Sequence, residues 1–251
     1  MWFILLGGTI LHPRRAFLML VTLLLCISPP IYSAEAPSLT YNTSNFSITY
    51  TERDRNRLVI VLDMLQRSYQ QIAQSLNFHP SDPLRVTLHA TDDYLNTHPN
   101  LPPGTPAFYS SRDRTIHVLY AWTSHRSTAD DRMQTFFSHE MTHAFVHAIT
   151  PATIPPWFNE GLAAYHEYAT DGGVRLANVT RDLRAGILPP LEKSPYQAGF
   201  AAIHYLVDRY GMSTVTAILV ETRRQRFPDA FRTILGMDVP AFERECRDAS
   251  R

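Results

Sequence analysis

Three residues near the middle of the chain have the types and spacing to hold and use a metal ion. In the run Phe136-Phe137-Ser138-His139-Glu140-Met141-Thr142-His143-Ala144-Phe145, two histidines stand four positions apart. On a helix, residues four apart lie one turn apart on one face, so both imidazoles can reach a single ion. Glu140 directly follows His139. It projects beside such an ion, within reach of a water molecule there but outside the ligand set. This is the H-E-x-x-H pattern, in which the histidines bind zinc and the glutamate acts as a base. The competing interpretation is a polar helix face with two solvated histidines. The flanks oppose it, because Phe136, Phe137, Ala144, Phe145 and Ala148 surround the pattern with apolar bulk. Two imidazoles and a carboxylate buried together need partners.

A zinc ion that activates water takes three protein ligands and leaves a fourth position open. The chain has two cysteines, Cys26 and Cys246, the first inside an N-terminal apolar stretch. One remaining thiol cannot build a thiolate site, so the donors must be histidines and carboxylates. The segment Pro155-Pro156-Trp157-Phe158-Asn159-Glu160-Gly161-Leu162-Ala163-Ala164-Tyr165 supplies a candidate. Glu160 stands at the start of a helix between aromatic and small residues, where a carboxylate either complements the helix dipole or binds something. Glu167, two turns further on, is the rival third ligand, and Glu160 is preferred.

H-E-x-x-H, a short linker and a helix opening Trp157-Phe158-Asn159-Glu160-Gly161 together resemble the gluzincin clan of zinc metallopeptidases, and within it the small exported bacterial proteins of the peptidase MA-like group. The resemblance implies a zincin-like α+β fold, Zn²⁺ held by His139, His143 and Glu160, and hydrolysis of peptide bonds in a peptide or protein substrate, with Glu140 as general base. It also implies a tyrosine or histidine that stabilises the oxyanion. Tyr196 is favoured for that role over Tyr165, His166 and His204. The run Ala107-Phe108-Tyr109-Ser110 resembles the edge strand that such enzymes lay along the cleft, with a plain hairpin strand as the equal alternative. One position departs from the pattern. Thermolysin-like members often carry an Asp four residues after the glutamate ligand, to orient a zinc histidine, and that position here is Ala164. The partner of the metal-bound imidazole is therefore unassigned by the sequence. Two other functions would use the same residues. One is a non-catalytic exported protein with a structural zinc site, closed by His147 at helical spacing from His143. The other is a zinc amidase acting on cell-wall peptides.

These residues need elements to position them. The alternation in Asn45 to Tyr50 predicts a strand. Leu58, Leu62, Leu65, Tyr69, Ile72 and Leu76 recur at helical spacing and predict a long amphipathic helix over 52–77. A second strand is expected over 84–90, then a hairpin of 107–110 and 115–120 turning at Arg112-Asp113. From Thr128 the pattern turns helical: the H-E-x-x-H helix to about Ile149, a second from Trp157 to about Tyr168, and others near 178–186, 195–210, 212–225, 227–235 and 239–248. Gly211 and Gly236 fall where helix ends belong. The expected fold class is α+β: a small mixed N-terminal sheet with a long helix, then a mostly helical lobe. It forms one domain over 37–251, with a β-rich lobe at 37–127 and a helical lobe at 128–251.

Arg14 and Arg15 precede an apolar stretch from Ala16 to Ile27, then Ser28-Pro29-Pro30 and small residues around Ala34. That order predicts a signal peptide over 1–34, or an uncleaved anchor, which would be the chain's one contact with membrane. An exported protein, periplasmic or extracellular, is the expectation. Charge is balanced, 23 basic against 23 acidic residues in 251, with no basic run or basic-aromatic stripe, so nucleic acid is not an expected partner. The oligomeric state has no signal in the sequence.

Overall fold

The computed structural model describes residues 37–89, 101, 105–119, 128–169, 178–179, 181–182, 185 and 189–249. The expected signal segment, residues 170–177 and most of the helix expected over 178–186 lie outside the described residues. Five strands form one mixed sheet, and seven α-helices accompany it among the described residues. The architecture is α+β. No described helix is long and apolar enough to cross a membrane.

The strands are β1 (Ser38–Asn42), β2 (Phe46–Thr51), β3 (Leu84–His89), β4 (Ala107–Ser110) and β5 (Thr115–Leu119), in the order β1-β2-β3-β5-β4. β1 pairs antiparallel with β2, β2 and β3 run parallel, β3 and β5 run parallel, and β4 closes an antiparallel hairpin onto β5. Register carries one row of side chains across the sheet: Ile48 faces Val86, Val86 faces Ile116, and Ile116 faces Tyr109. Ile48, Val86 and Ile116 are fully buried, as alternation on a half-buried sheet requires. β4 is left as an edge strand. β1 is the element that alternation does not predict, since its residues are mostly exposed and polar. It becomes a strand by pairing with β2, whose inward face Phe46, Ile48 and Tyr50 supplies the burial.

Helix α1 (Arg55–Leu76) follows a 3-10 turn at Glu52–Asp54. Its face Leu58, Val61, Leu65, Tyr69, Ile72 and Leu76 is buried. Asn77 in the left-handed conformation ends it. Helix α2 (Thr128–Ile149) packs on α1 through polar and aromatic contacts. Ser68 and Ser138 meet at 3.0 Å, the Gln134 amide donates to the Met64 carbonyl and to Ser68, and Tyr69 meets Phe145 edge-on. Phe137, Met141, Phe145 and Ile149 are fully buried along α2. Phe137, Ala144 and Phe145 thus supply the apolar setting that the sequence suggested, whereas Ala148 is exposed.

Helix α3 (Pro156–Ala169) opens with proline at its first position, where a missing N–H costs nothing and the fixed φ suits the helix. Then come α4 (Gln197–Tyr210), α5 (Met212–Glu221), α6 (Phe227–Leu235) and α7 (Val239–Ala249). Trp157 and Phe158 anchor the start of α3 in an aromatic cluster with Phe227, Phe231 and Phe242. Further along, His166 is 1% exposed. Thr142 spends its hydroxyl proton on the Ser138 carbonyl, so His166 Nδ1–H donates to Thr142 Oγ1 at 3.0 Å. Nε2 then accepts from Ser75 Oγ at 2.9 Å. The ring is satisfied as a neutral imidazole tying α3 to α2 and α1. α3 also crosses α4 with backbone against backbone. A Cβ on Gly161 would overlap the carbonyl group of Gly199, and one on Gly199 would overlap the carbonyl oxygen of Trp157.

Two predictions follow from this packing. Gly161→Ala or Gly199→Ala must push α3 and α4 apart, and overpacking of this kind costs about 1–3 kcal/mol. Chemical denaturation will show a lower midpoint at unchanged slope. The second concerns acid. Burial lowers the pKa of His166 to about 3, against about 6.5 in an unfolded chain. Between those values the unfolded state binds the extra proton. This contribution to stability is therefore complete above about pH 6.5 and falls as pH drops towards 3, by up to about 1.4 kcal/mol per pH unit. The pH dependence of unfolding in that window will be shallower in His166→Gln than in the parent protein.

Candidate metal centre

Helix α2 presents His139 and His143 one turn apart, with rings edge-on and centroids 5.0 Å apart. Helix α3, aimed by its aromatic anchor and its glycine crossing, brings Glu160 to face both. Glu160 Oε2 lies 3.3 Å from His139 Nε2 and 3.6 Å from His143 Nε2. One donor atom from each of the three residues falls within 4.8 Å of the other two. Ligands at 2.0–2.2 Å around a tetrahedral ion stand roughly 3.3–3.5 Å apart, so the two histidine–glutamate separations suit a shared ion. Among the described residues this is the one group of His, Cys, Asp or Glu able to hold a metal. His147 is not in it. Its ring packs edge-on against Tyr109 instead.

Glu167 does not compete with Glu160 for the ion. Its Oε2 accepts from His139 Nδ1–H at 2.9 Å, which turns the Nε2 lone pair towards Glu160. A carboxylate behind a ligating imidazole fixes its tautomer and raises its basicity. The sequence leaves this acceptor unassigned, with Ala164 at the position where an acidic residue is expected, and the fold supplies it one turn later as Glu167. Among the described residues His143 has no such support: its Nδ1 is buried without a hydrogen-bond partner there, as is Asn159 Oδ1 in the same cleft.

Charge at the centre is arranged for a cation. Burial alone would pull the His139 imidazole down, but hydrogen bonds to Glu160 and Glu167 and the Glu140 charge outweigh it, pushing its pKa up to about 10. Burial would raise Glu160, yet contact with His139 and His143 brings it down to about 2. Three carboxylates thus crowd the His139 imidazole and hold positive charge there strongly. The donor set of two imidazole nitrogens and one carboxylate oxygen fits a divalent metal ion.

Glu140 belongs to neither pairing. Its Oε2 accepts the backbone N–H of Tyr109, on edge strand β4, at 2.7 Å. Burial raises its pKa, against the opposing pull of His143, His139 and that hydrogen bond. A cleft of about 580 Å³ opens over the centre. Phe108, Tyr109 and Ser111 line one side, and Thr150 to Ile154 with Asn159 line another. Tyr196, directly before α4 and 59% exposed, stands at the cleft and is the one of the four oxyanion candidates that lines it. The charge of Glu160, then burial, then Glu140 raise its pKa. His166 is locked in the core, His204 pairs with Asp208 at 3.2 Å, and the Tyr165 ring rests near His204.

No family model and no curated protein matches the chain. Among solved structures, a mutant of the M1 zinc metallopeptidase from Deinococcus radiodurans is similar over 86% of this chain, with 18% identity and a TM-score of 0.46. The match covers 51% of that chain, so the protein spans about half its length.

Because Glu167 orients His139 from behind, its loss should weaken metal binding without removing a ligand. Glu167→Ala is expected to lower Zn²⁺ affinity by about ten- to a hundredfold, read by competition with a chromogenic chelator. Affinity equal to that of the parent protein would mean that the hydrogen bond does not support the site.

Proposed function

We propose that the protein is a zinc-dependent hydrolase of peptide bonds, zincin-like in fold, with a gluzincin-type ligand set of His139, His143 and Glu160. The observation that carries this reading is the placing of Glu140. It stands beside a three-donor group without belonging to it, and it faces a cleft deep enough for a peptide. A purely structural site has no use for a base at an open position and calls for a fourth ligand. His147, the candidate for that place, is turned to Tyr109.

When bound, Zn²⁺ supplies Lewis acidity, which makes water nucleophilic near neutral pH and polarises a carbonyl. The chain's own residues do the rest. Glu140 takes the proton of the attacking water and passes it to the leaving nitrogen as the amide bond breaks. The Tyr109 N–H holds Oε2 in place, so the carboxylate does not swing away between the two transfers. The Tyr196 hydroxyl donates to the carbonyl oxygen as negative charge develops there. Glu167 keeps the Nδ1 proton of His139, and with it the Nε2 donor direction. Edge strand β4 offers a sheet edge along which an extended peptide can lie. The reading extends to the rest of the chain. Residues 37–251 act as one domain of the peptidase MA-like kind, and the basic-apolar-small order of the first 34 residues exports it.

The test compares the parent protein with Glu140→Gln, after zinc loading, on a broad peptide library. The variant is expected to retain zinc in equal amount and to lose at least about a hundredfold in turnover. Equal turnover in the two proteins would rule out Glu140 as the base.

A further inference from the structure

Tyr109 is joined to helix α2 at two points. The Leu119 N–H donates to the Pro106 carbonyl, and in the same register Tyr109 stands opposite Ile116. Hydrogen-bonded pairs alternate with non-bonded ones along an antiparallel ladder. Phe108 and Ser110 therefore turn their backbone groups towards β5, and Tyr109 turns its own away. The Tyr109 N–H goes to Glu140 Oε2 at 2.7 Å. The Tyr109 ring goes to His147, edge-on with centroids 6.0 Å apart. Glu140 and His147 are seven residues apart on α2, which is two turns along one face. One residue of the edge strand thus grips α2 twice, by its backbone at one point and by its ring at the other.

His147 is free of the tasks its neighbours carry. It lies outside the three-donor group. Half-buried on the cleft wall beside Tyr109, it makes no hydrogen bond or ion pair among the described residues. Burial lowers its pKa and the Arg114 charge adds to that effect, so at neutral pH the ring meets Tyr109 as a neutral aromatic surface. Edge-on rings attract through their quadrupoles as well as through the area they bury. The ladder with β5 fixes β4 within the sheet, but it does not fix how closely the edge of the sheet approaches α2. The ring contact acts on that distance, and the Glu140 hydrogen bond depends on it.

We propose that His147 is a positioning residue for Glu140: by holding the Tyr109 ring it keeps edge strand β4 against α2, and so keeps the Tyr109 N–H on the Glu140 carboxylate. The proposal rests on the peptide-hydrolysis reading for its effect on turnover, and on the two contacts of Tyr109 for its geometry. His147 acts through a ring and a strand, and it touches neither the ion's donors nor the reacting atoms. Its loss therefore leaves the metal group whole and lets the carboxylate wander. A misplacement of about 1 Å at a reacting group is enough to cost up to about a hundredfold in rate.

The experiment uses the full zinc-loaded chain and compares the parent protein with His147→Ala and His147→Phe. Phenylalanine keeps an edge-on ring and removes the imidazole nitrogens. The first readout is the hydrogen-exchange protection factor of the residue-109 amide, which needs no turnover. It should fall about two- to tenfold in His147→Ala, the worth of one aromatic pair, and stay at the parent value in His147→Phe. Zn²⁺ affinity should be the same in all three proteins. With a peptide substrate, kcat should fall about ten- to a hundredfold in His147→Ala at little change in KM, and His147→Phe should restore most of it. Tyr109→Leu removes the other ring and keeps the N–H. Its protection at residue 109 should fall by a similar factor, and adding His147→Ala to it should lower that protection no further. Parent-like protection in His147→Ala overturns the proposal, and so does a further fall in the double variant. A His147→Phe protein as impaired as His147→Ala, with raised KM, overturns it in favour of direct substrate contact, and lost zinc affinity overturns it in favour of a ligand role. Lowered protection in His147→Ala with no cleavage of any peptide by the parent protein leaves the positioning in place and removes the hydrolase reading instead.

Discussion

Where α3 crosses α4, Gly161 and Gly199 bring two backbones together with no side chain between them. The positions of two functional groups follow from that contact. Glu160 precedes Gly161, and Tyr196 stands three residues before Gly199, so one crossing sets a metal donor and a cleft tyrosine relative to each other. The other sides of α3 are equally constrained. Trp157 and Phe158 hold its first turn in the aromatic cluster of α6 and α7, and His166 ties its far end to α1 and α2. A metal site tolerates errors of only about 0.2 Å in donor position. A helix pinned on three sides by buried rings and a backbone crossing delivers such precision where a loop would not.

Much of this was legible in the chain, and the parts that were not have identifiable causes. Helices α1 and α6 follow from periodicity because each buries a single stripe, α2 from its helical pattern, and the β4–β5 hairpin from two β-rich runs about Arg112-Asp113, with β5 buried along its whole length. Strand β1 escaped because Ser38 to Asn42 is held by ladder pairing with β2 and buries little of its own. His139, His143 and Glu160 could be named together because local spacing and a short linker carry the information, and the fold brings their donor atoms together. The acceptor behind His139 could not be named. Residues 164 and 167 both lie on roughly the face of α3 that bears Glu160. Which of them meets His139 depends on how far α3 slides along α2, a tertiary quantity. The same limit applied to His166, which looked like a candidate donor and became a core residue once Ser75 and Thr142 enclosed it. Gly161 was visible as part of Asn159-Glu160-Gly161, but its reason, the approach of Gly199, was not.

The three carboxylates of the centre show how one residue type takes three tasks. Glu160 meets two imidazole Nε2 atoms and becomes strongly acidic. Glu167 meets Nδ1 of one imidazole and sets its tautomer. Glu140 meets a backbone N–H and is raised by burial. Only the last partner comes from the sheet. Helices α2 and α3 alone carry the three candidate donors, so their convergence depends on how two helices pack. The position of Glu140 depends additionally on where edge strand β4 lies against α2. A displacement of β4 would leave the candidate donor group whole and move the partner of Glu140. The sheet is thus the element that gives the helical centre its directionality. It holds Glu140 with the Tyr109 backbone N–H of β4, at the edge of the cleft.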